Sequence, residues 1–261
     1  MADKITAPIV RAKRTKGEKI VCITAYDAVF GQIADEAGAD VVLVGDSLGN
    51  VVLGYSSTIP VTLDEMASHA KATRCGVKRA LLVVDLPFGT YQASVEQAVN
   101  SAATLAKIGA EAVKMEGEYL EQITAVVKSG IPVMGHLGMT PQSVNVFGGF
   151  RVQGRGESGQ WLLDSARRLQ DAGAFAIVLE LIPADLAKRI TDELEIPTIG
   201  IGAGVHCSGQ VQVIHDVLGL NPKGMKHAKR YVNAYDMFVE ALKQYSVDVR
   251  TQVFPGEENS F

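Results

Sequence analysis

Short apolar runs recur along the chain, and four of them lead to an acidic residue. Residues 41–45 read Val-Val-Leu-Val-Gly and lead to Asp46, and similar runs lead to Asp85, Glu116 and Glu180. Unbroken apolar runs of this length are typical of strands that are buried on both faces of a parallel sheet. Because the carboxyl ends of the strands form one rim in a closed parallel barrel, we expect the four acids to converge on one mouth.

The apolar runs alternate with segments of helical length over most of the chain. The predicted strands cover 19–24, 40–45, 79–85, 111–116, 131–135, 175–181, 196–201 and 210–214. The last two are too close together for a full helix, so we expect the seventh outer helix to be shortened or missing. About eight strand–helix units favour a (β/α)8 barrel over an open doubly wound sheet, since no dinucleotide-type glycine fingerprint follows the first strand. Residues 1–261 are predicted to form a single barrel domain, with an N-terminal helix over 1–18 and a polar tail over 251–261.

Composition narrows the classes of protein that the pattern allows. The chain has 261 residues, of which 47% are hydrophobic and 21% charged, as in an ordinary enzyme-sized domain. A net charge of -4 without a concentrated basic face argues against a nucleic-acid partner. No run is long enough to span a bilayer, and the first 19 residues lack the apolar core of a secretory signal. The scattered cysteines, Cys22, Cys75 and Cys207, indicate reduced thiols and a cytoplasmic location.

Three of the acids close consecutive strands and could share one site. Carboxylates as close as Asp46, Asp85 and Glu116 would repel one another unless a cation lay between them. An all-oxygen set suits Mg2+ better than Zn2+, so these acids are candidate magnesium ligands. The alternative is that each acid caps a neighbouring helix or pairs with a lysine.

Three further residues are candidates for the same mouth. Lys114 lies two residues before Glu116 and therefore points to the same side of the strand, where it could pair with an anionic substrate or with one of the acids. Glu180, flanked by apolar residues and expected across the barrel from the metal group, suits a general base acting on carbon. His136 could donate a hydrogen bond to substrate, or it could be a structural histidine.

Two glycine-rich stretches complete the set of candidates. The connection over 136–159 is long for a compact domain and is expected to be functional, closing over the site. Residues 200–204, Gly-Ile-Gly-Ala-Gly, could bind phosphate through backbone N–H groups or could form a tight turn without a ligand.

Taken together, these motifs resemble one known family nearly from end to end. They are Thr24-Ala25-Tyr26-Asp27, Gly45-Asp46-Ser47-Leu48-Gly49, Val52-Leu53-Gly54-Tyr55, Val84-Asp85-Leu86-Pro87-Phe88, Lys114-Met115-Glu116-Gly117, Gly135-His136-Leu137-Gly138, Thr140-Pro141-Gln142, Gly149-Phe150-Arg151-Val152-Gln153-Gly154 and Gly200-Ile201-Gly202-Ala203-Gly204. In this order they are similar to the ketopantoate hydroxymethyltransferases.

The resemblance implies a fold, an activity and a set of residues. The fold would be a (β/α)8 barrel in a homodecamer. The reaction would transfer a hydroxymethyl group from 5,10-methylenetetrahydrofolate to C3 of 3-methyl-2-oxobutanoate, giving ketopantoate for pantothenate and coenzyme A biosynthesis. Mg2+ would be held by Asp46, Asp85 and Glu116, partly through water. The substrate-binding residues would be Asp46, Ser47, Asp85, Lys114 and His136, and the base would be Glu180.

Two other readings remain open from the sequence. One is a Mg2+-dependent carbon–carbon lyase of the isocitrate lyase and phosphoenolpyruvate mutase type, although the Lys-Lys-Cys-Gly-His type of loop common in those lyases is missing here. The other is a protein that binds a keto acid or folate, or a scaffold ring, without turnover. Four inward acids would be costly to keep in such a protein.

Overall fold

Eight parallel strands close into a barrel in which each strand pairs with the next and the eighth pairs with the first. The computed structural model describes residues 3–261. The strands are β1 Ile20–Thr24, β2 Val41–Val44, β3 Leu81–Asp85, β4 Ala112–Glu116, β5 Val133–Gly138, β6 Ala176–Glu180, β7 Thr198–Ile201 and β8 Gly209–Gln212. Their unbroken apolar runs are explained by this arrangement, because the barrel interior covers one face and the helices cover the other.

Helices follow most of the strands. They are α1 Ala7–Thr15, α2 Ala28–Glu36, α3 Leu48–Val51, α4 Leu63–Gly76, α5 Val95–Lys107, α6 Leu120–Lys128, α7 Val144–Phe147, α8 Ser158–Asp171, α9 Ala184–Glu193, α10 Ile214–Val217 and α11 Ala234–Arg250. Local sequence sets several of their starts. Thr62 and Glu65 form a reciprocal capping box at α4, and Ser94 caps α5.

The amino end of the barrel is closed by the N-terminal segment. Ile5 and Val10 belong to the same buried cluster as the inward side chains of β1 to β8. The Ile5 N–H donates to Arg79 O at 2.8 Å, and the Lys4 ammonium donates to Ala80 O at 2.6 Å. With its amino end plugged, the barrel is left with the carboxyl ends of its strands as the face for a site.

The barrel prediction is confirmed, including the missing seventh outer helix. β7 ends at Ile201 and β8 begins at Gly209, with bends and no helix between them. Several boundaries differ from the predicted ones. The N-terminal helix covers 7–15 of the predicted 1–18, and residues 1 and 2 lie outside the described part. The last helix ends at Arg250, where the predicted tail begins.

The fifth strand was placed wrongly, and the error matters for the site. β5 runs to Gly138, not to Gly135, because it stays in register with β6 up to the pair Gly138 and Glu180. His136 therefore lies within a strand and not in the connecting loop. Glycine is a poor strand former, so the local preference of Gly135 ended the predicted strand before the hydrogen-bonded ladder ends.

The chain groups into two compact units. The barrel unit ends at Val213, and the second unit comprises Ile214–Phe261 with α10 and α11. A single domain over 1–261 stays a prediction. Among residues 3–261, no helix is both long and apolar enough to cross a membrane.

Candidate active site

The four acids predicted from the strand ends lie at the same end of the barrel. Asp85, Glu116 and Glu180 are the last residues of β3, β4 and β6, and Asp46 follows β2 by two residues. Asp46, Asp85 and Glu116 are buried. Burying several carboxylates together is unfavourable unless cations or hydrogen-bond donors neutralise them.

Lys114 is the cation at the centre of this cluster. Its ammonium lies 2.7 Å from Asp85 Oδ1 and 3.9 Å from Glu116 Oε1. Burial acts to lower the pKa of Lys114, but the surrounding carboxylates, Asp85 first, outweigh burial and hold the pKa above its ordinary value. The lysine is therefore charged and paired, as its spacing from Glu116 predicts.

Asp46 is an acid whose charged form is disfavoured by its surroundings. Its backbone N–H donates to Asp85 Oδ2 at 3.0 Å, which holds the Asp85 carboxylate against the Asp46 backbone. Burial raises the pKa of Asp46 well above its usual range, and the negative charges of Glu116 and Asp85 raise it further. A second positive charge in this position would be stabilising.

A chain of contacts links Glu116 through His136 to Glu180. His136 Nδ1 lies 3.3 Å from Glu116 Oε1, and Nε2 lies 3.3 Å from Glu180 Oε2. Burial acts to lower the pKa of His136, but the charge of Glu116 outweighs it, and the pKa rises to about 9. The expectation that Glu180 stands alone across the barrel is wrong. β6 neighbours β5, and the imidazole connects Glu180 to the other acids.

The backbone around Glu180 is fixed by its neighbours. Glu180 O accepts a hydrogen bond from the Met139 N–H at 2.9 Å. A Cβ on Gly138, whose φ is +95°, would lie only 2.2 Å from that same carbonyl oxygen, so only glycine fits there. Leu181 has a φ of +45°, which is strained for a leucine. Its N–H donates to Ile201 O, and its carbonyl accepts from the Gln153 N–H, both at 2.9 Å.

Gln142 is a site residue that the sequence reasoning did not single out. Its amide donates to Asp46 Oδ2 at 2.9 Å and to Leu86 O at 3.0 Å, and its backbone N–H donates to Glu116 Oε2 at 2.9 Å. The amide oxygen accepts from the Tyr91 hydroxyl at 2.8 Å. One buried glutamine thus orients two of the acids, and its place in the Thr140-Pro141-Gln142 motif was the available signal.

Ser47 is held by a buried tyrosine. The Tyr26 hydroxyl lies 2.8 Å from Ser47 Oγ, within hydrogen-bonding distance, and Tyr26 is buried. The serine hydroxyl therefore has a fixed position beside Asp46.

The glycine-rich stretch 200–204 packs as a turn. A Cβ on Gly204, whose φ is +79°, would lie 2.5 Å from Ala184 Cβ, and the Gln210 side chain donates to Gly204 O at 2.9 Å. These contacts account for the glycine without a phosphate.

The acid cluster fits a divalent cation that keeps part of its water shell. Asp85 Oδ1 is buried and makes no regular hydrogen bond beyond its ion pair with Lys114. Within residues 3–261, no group of three or more His, Cys, Asp or Glu residues is arranged to hold a metal ion by itself. Mg2+ commonly binds one or two carboxylates together with water and substrate oxygens, so such a group is not required.

Fold and site together define a (β/α)8-barrel protein of the enzyme type, with a buried acidic site at the carboxyl ends of its strands. The profile of the family described as ketopantoate hydroxymethyltransferase matches residues 4–257. The chain belongs to this family.

Relatives of known name cover almost the whole chain. The 3-methyl-2-oxobutanoate hydroxymethyltransferase of Thermotoga maritima is 54% identical over 258 residues, which is 97% of this chain and 96% of the relative. The enzyme of the same name from Carboxydothermus hydrogenoformans is 52% identical over 264 residues, 99% of this chain and 96% of the relative.

Solved structures with the same fold are far more distant in sequence. A phosphonopyruvate hydrolase in complex with oxalate and Mg2+ superposes with a TM-score of 0.63 at 12% identity, covering 98% of this chain and 93% of that one. A 2,3-dimethylmalate lyase of the phosphoenolpyruvate mutase and isocitrate lyase superfamily gives 0.62 at 15% identity, covering 98% and 91%. At such identities the likeness concerns the fold alone.

Replacing Gln142 by methionine tests the hydrogen-bond network. Gln142→Met keeps the side-chain volume but removes the donors to Asp46 and Leu86, leaving buried acceptors unsatisfied. We expect a loss of at least about 1–3 kcal/mol in unfolding free energy, measured by denaturant titration. Gln160→Met on the exposed surface of α8 is the matched control. A variant as stable as the wild type would show that the amide does not hold the acids.

Proposed function

We propose that the protein transfers a hydroxymethyl group from 5,10-methylenetetrahydrofolate to C3 of 3-methyl-2-oxobutanoate, forming ketopantoate for pantothenate and coenzyme A biosynthesis. Membership of the family supports the reaction. The structural observation that carries it is the continuous line of charged groups from Asp46 and Asp85 through Glu116 and His136 to Glu180. This line supports a cation site and a base within one mouth.

The metal assigned to this site is Mg2+. Asp46, Asp85 and Glu116 would hold it, partly through water, and their excess negative charge supports this role. When bound, Mg2+ acts as a Lewis acid that stabilises negative charge developing on the substrate's keto oxygen.

Side chains around the cluster would bind and orient the keto acid. Lys114 would offer its charge to the anionic substrate, and the Ser47 hydroxyl, fixed by Tyr26, would offer a hydrogen bond. His136 carries a proton at neutral pH because Glu116 raises its pKa. Its Nδ1 faces Glu116, so the Nε2–H, which lies beside Glu180, is the group that it would share with the substrate. Asp46 and Asp85 would border the same pocket.

Glu180 is assigned the role of general base. Its side chain is 13% exposed, compared with 3% for Glu116, so it is the acid with more access to an incoming substrate. The His136 contact involves Oε2 and leaves Oε1 to take the C3 proton. The carbanion-like C3 then forms a bond to the methylene carbon of the carrier, and both bonds from that carbon to N5 and N10 break. Water supplies the hydroxyl oxygen, and the two nitrogens take up one proton from water and the proton removed from C3, so tetrahydrofolate leaves.

The two alternative readings are less well supported. Identity above 50% to named hydroxymethyltransferases favours the transferase over a lyase, whose likeness to this chain is confined to the fold. A binding protein without turnover would not require a base beside the acid cluster.

We also propose that the chain assembles into a homo-oligomer, the decamer that the family resemblance implies. Helix α11 carries exposed apolar side chains at alternating spacings of three and four residues, namely Tyr235, Phe238, Leu242, Tyr245 and Val249. A continuous apolar stripe of this kind is typical of a helix that packs against another surface.

The free thiols Cys22, Cys75 and Cys207 agree with a cytoplasmic location.

Proton exchange at C3 is the first test of the reaction. With Mg2+ in D2O, the wild type should remove the C3 proton signal of 3-methyl-2-oxobutanoate in NMR, and chelation should stop the exchange. Glu180→Gln should bind the keto acid but slow exchange by about 10^2 to 10^4, the usual contribution of a positioned base. Glu121→Gln, on the exposed face of α6, is the control. Rapid exchange in Glu180→Gln would assign the base elsewhere.

A metal titration tests the acid cluster. Asp85→Asn should weaken Mg2+-dependent keto-acid binding by about 100-fold or more, because losing even an outer-shell partner commonly costs about 10- to 100-fold. Calorimetry with and without Mg2+ measures the effect, and thermal unfolding checks that the variant is folded. Asp171→Asn on the surface of α8 is the control. Unchanged Mg2+ dependence would remove Asp85 from the site.

Sedimentation velocity tests the assembly. The wild type should sediment as a species several times the 27.8 kDa chain mass. Leu242→Asp places a charge in the apolar stripe and should produce smaller species, whereas Gln244→Asp on the same helix should not. A wild-type monomer would contradict the proposal.

A further inference from the structure

The glycine-rich segment over 148–156, which we call the arginine loop, connects α7 to α8. Gly148 has a φ of +66° and ends α7, and Gly149, Gly154 and Gly156 have φ values of +116°, +78° and +64°. Four left-handed glycines give this loop a path that other residues would rarely adopt.

The loop is anchored beside the proposed base. The Gln153 N–H donates to Leu181 O at 2.9 Å, one residue beyond Glu180. The next residue, Gly154, is closely packed, since a Cβ there would lie 2.5 Å from Leu186 Cδ2 and 2.6 Å from Leu162 Cδ1. These two contacts fix the middle of the loop against α8, α9 and the end of β6.

Two arginines flank the anchor, one on each side. Arg151 lies two residues before Gln153, and Arg155 lies two residues after it; both are exposed. Neither guanidinium has a hydrogen bond or ion pair with any group in residues 3–261, although Glu157 follows Arg155 closely. By contrast, Arg168 on α8 is paired with Glu118.

Unpaired arginines on a loop whose backbone is anchored beside the proposed reaction site are available to bind an anion. Guanidinium groups recognise carboxylates with two parallel hydrogen bonds. In the proposed function, the carboxylate of the keto acid binds at the buried cation site and Lys114, so it does not need the arginines. Each arginine lies two residues from Gln153, and two residues of extended chain span at most about 7 Å. The guanidinium groups can therefore lie outside the mouth while Gln153 contacts Leu181, the residue after Glu180.

We propose that Arg151 and Arg155 form a subsite for the glutamate carboxylates of the folate carrier, with its one-carbon end directed towards Glu180. This inference rests on the proposed function. Phe150, 57% exposed beside Arg151, offers an aromatic face to the ring portion of the same ligand. Each added glutamate in the carrier's tail brings another carboxylate, so the subsite favours carriers with several glutamates.

Steady-state kinetics with tetrahydrofolate carriers of one and three glutamates test the subsite. In Arg151→Gln and Arg155→Gln, we expect KM for the carrier to rise about three- to tenfold each, as for partly exposed charge pairs, and more in the double variant. The preference for three glutamates over one should shrink in the variants, and in the wild type it should weaken with added salt. Arg189→Gln, an exposed arginine on α9, loses the same charge and is the matched control.

Carrier-free proton exchange separates this inference from the reaction itself. If the wild type fails to exchange the C3 proton of the keto acid, the proposed function is wrong. If it exchanges the proton while the double variant keeps the wild-type carrier KM and glutamate preference, the subsite is wrong and the reaction stands. A rise in KM for the keto acid in place of the carrier would also overturn the subsite, since it would assign the arginines to the smaller substrate.

Discussion

The excess of negative charge buried at the carboxyl ends of β2, β3 and β4 is the constraint on which this structure depends. Three carboxylates share the space with one ammonium group, that of Lys114. Such a cluster is unfavourable in a low-dielectric interior unless every oxygen has a donor or a cation. Much of the surrounding structure can be understood as a response to that requirement.

The response is a network of neutral and cationic donors contributed by separate elements. The Asp46 N–H, the Gln142 amide and the His136 ring each meet one of the acids, and they come from the end of β2, the turn after β5, and β5 itself. The charge that remains after these contacts supports the proposed cation site. The same network connects these acids to Glu180, so in the proposed reaction substrate binding and proton removal act on adjacent atoms of one substrate.

The same loops hold the backbone around Glu180, the proposed general base, and present exposed side chains at the rim of the barrel. The carbonyl of Glu180 is held by Met139 and closely approached by Gly138, while Leu181 is held from both sides in a strained conformation. The loop that bonds Leu181 then extends outwards and presents unpaired arginines to solvent. A rigid reacting centre with an exposed charged approach suits a small buried substrate that reacts with a larger anionic one.

The barrel, the acids at its strand ends and the absent helix between β7 and β8 were determined by the sequence alone. Strands buried on both faces of a parallel sheet have unbroken apolar runs, and the spacing of these runs can be seen in the sequence without knowing any contact. Tertiary structure decided which groups meet. His136 became a strand residue because β6 continues the ladder past Gly135, and Glu180 became its partner because β5 and β6 are neighbours. Gln142 joined the site through backbone and side-chain contacts with residues 26 to 96 positions away in the chain. The local sequence pattern indicates which face of a helix or strand is apolar. Hydrogen bonds between distant segments depend on the register of neighbouring strands and on the closure of the barrel, and both are set only by the tertiary structure.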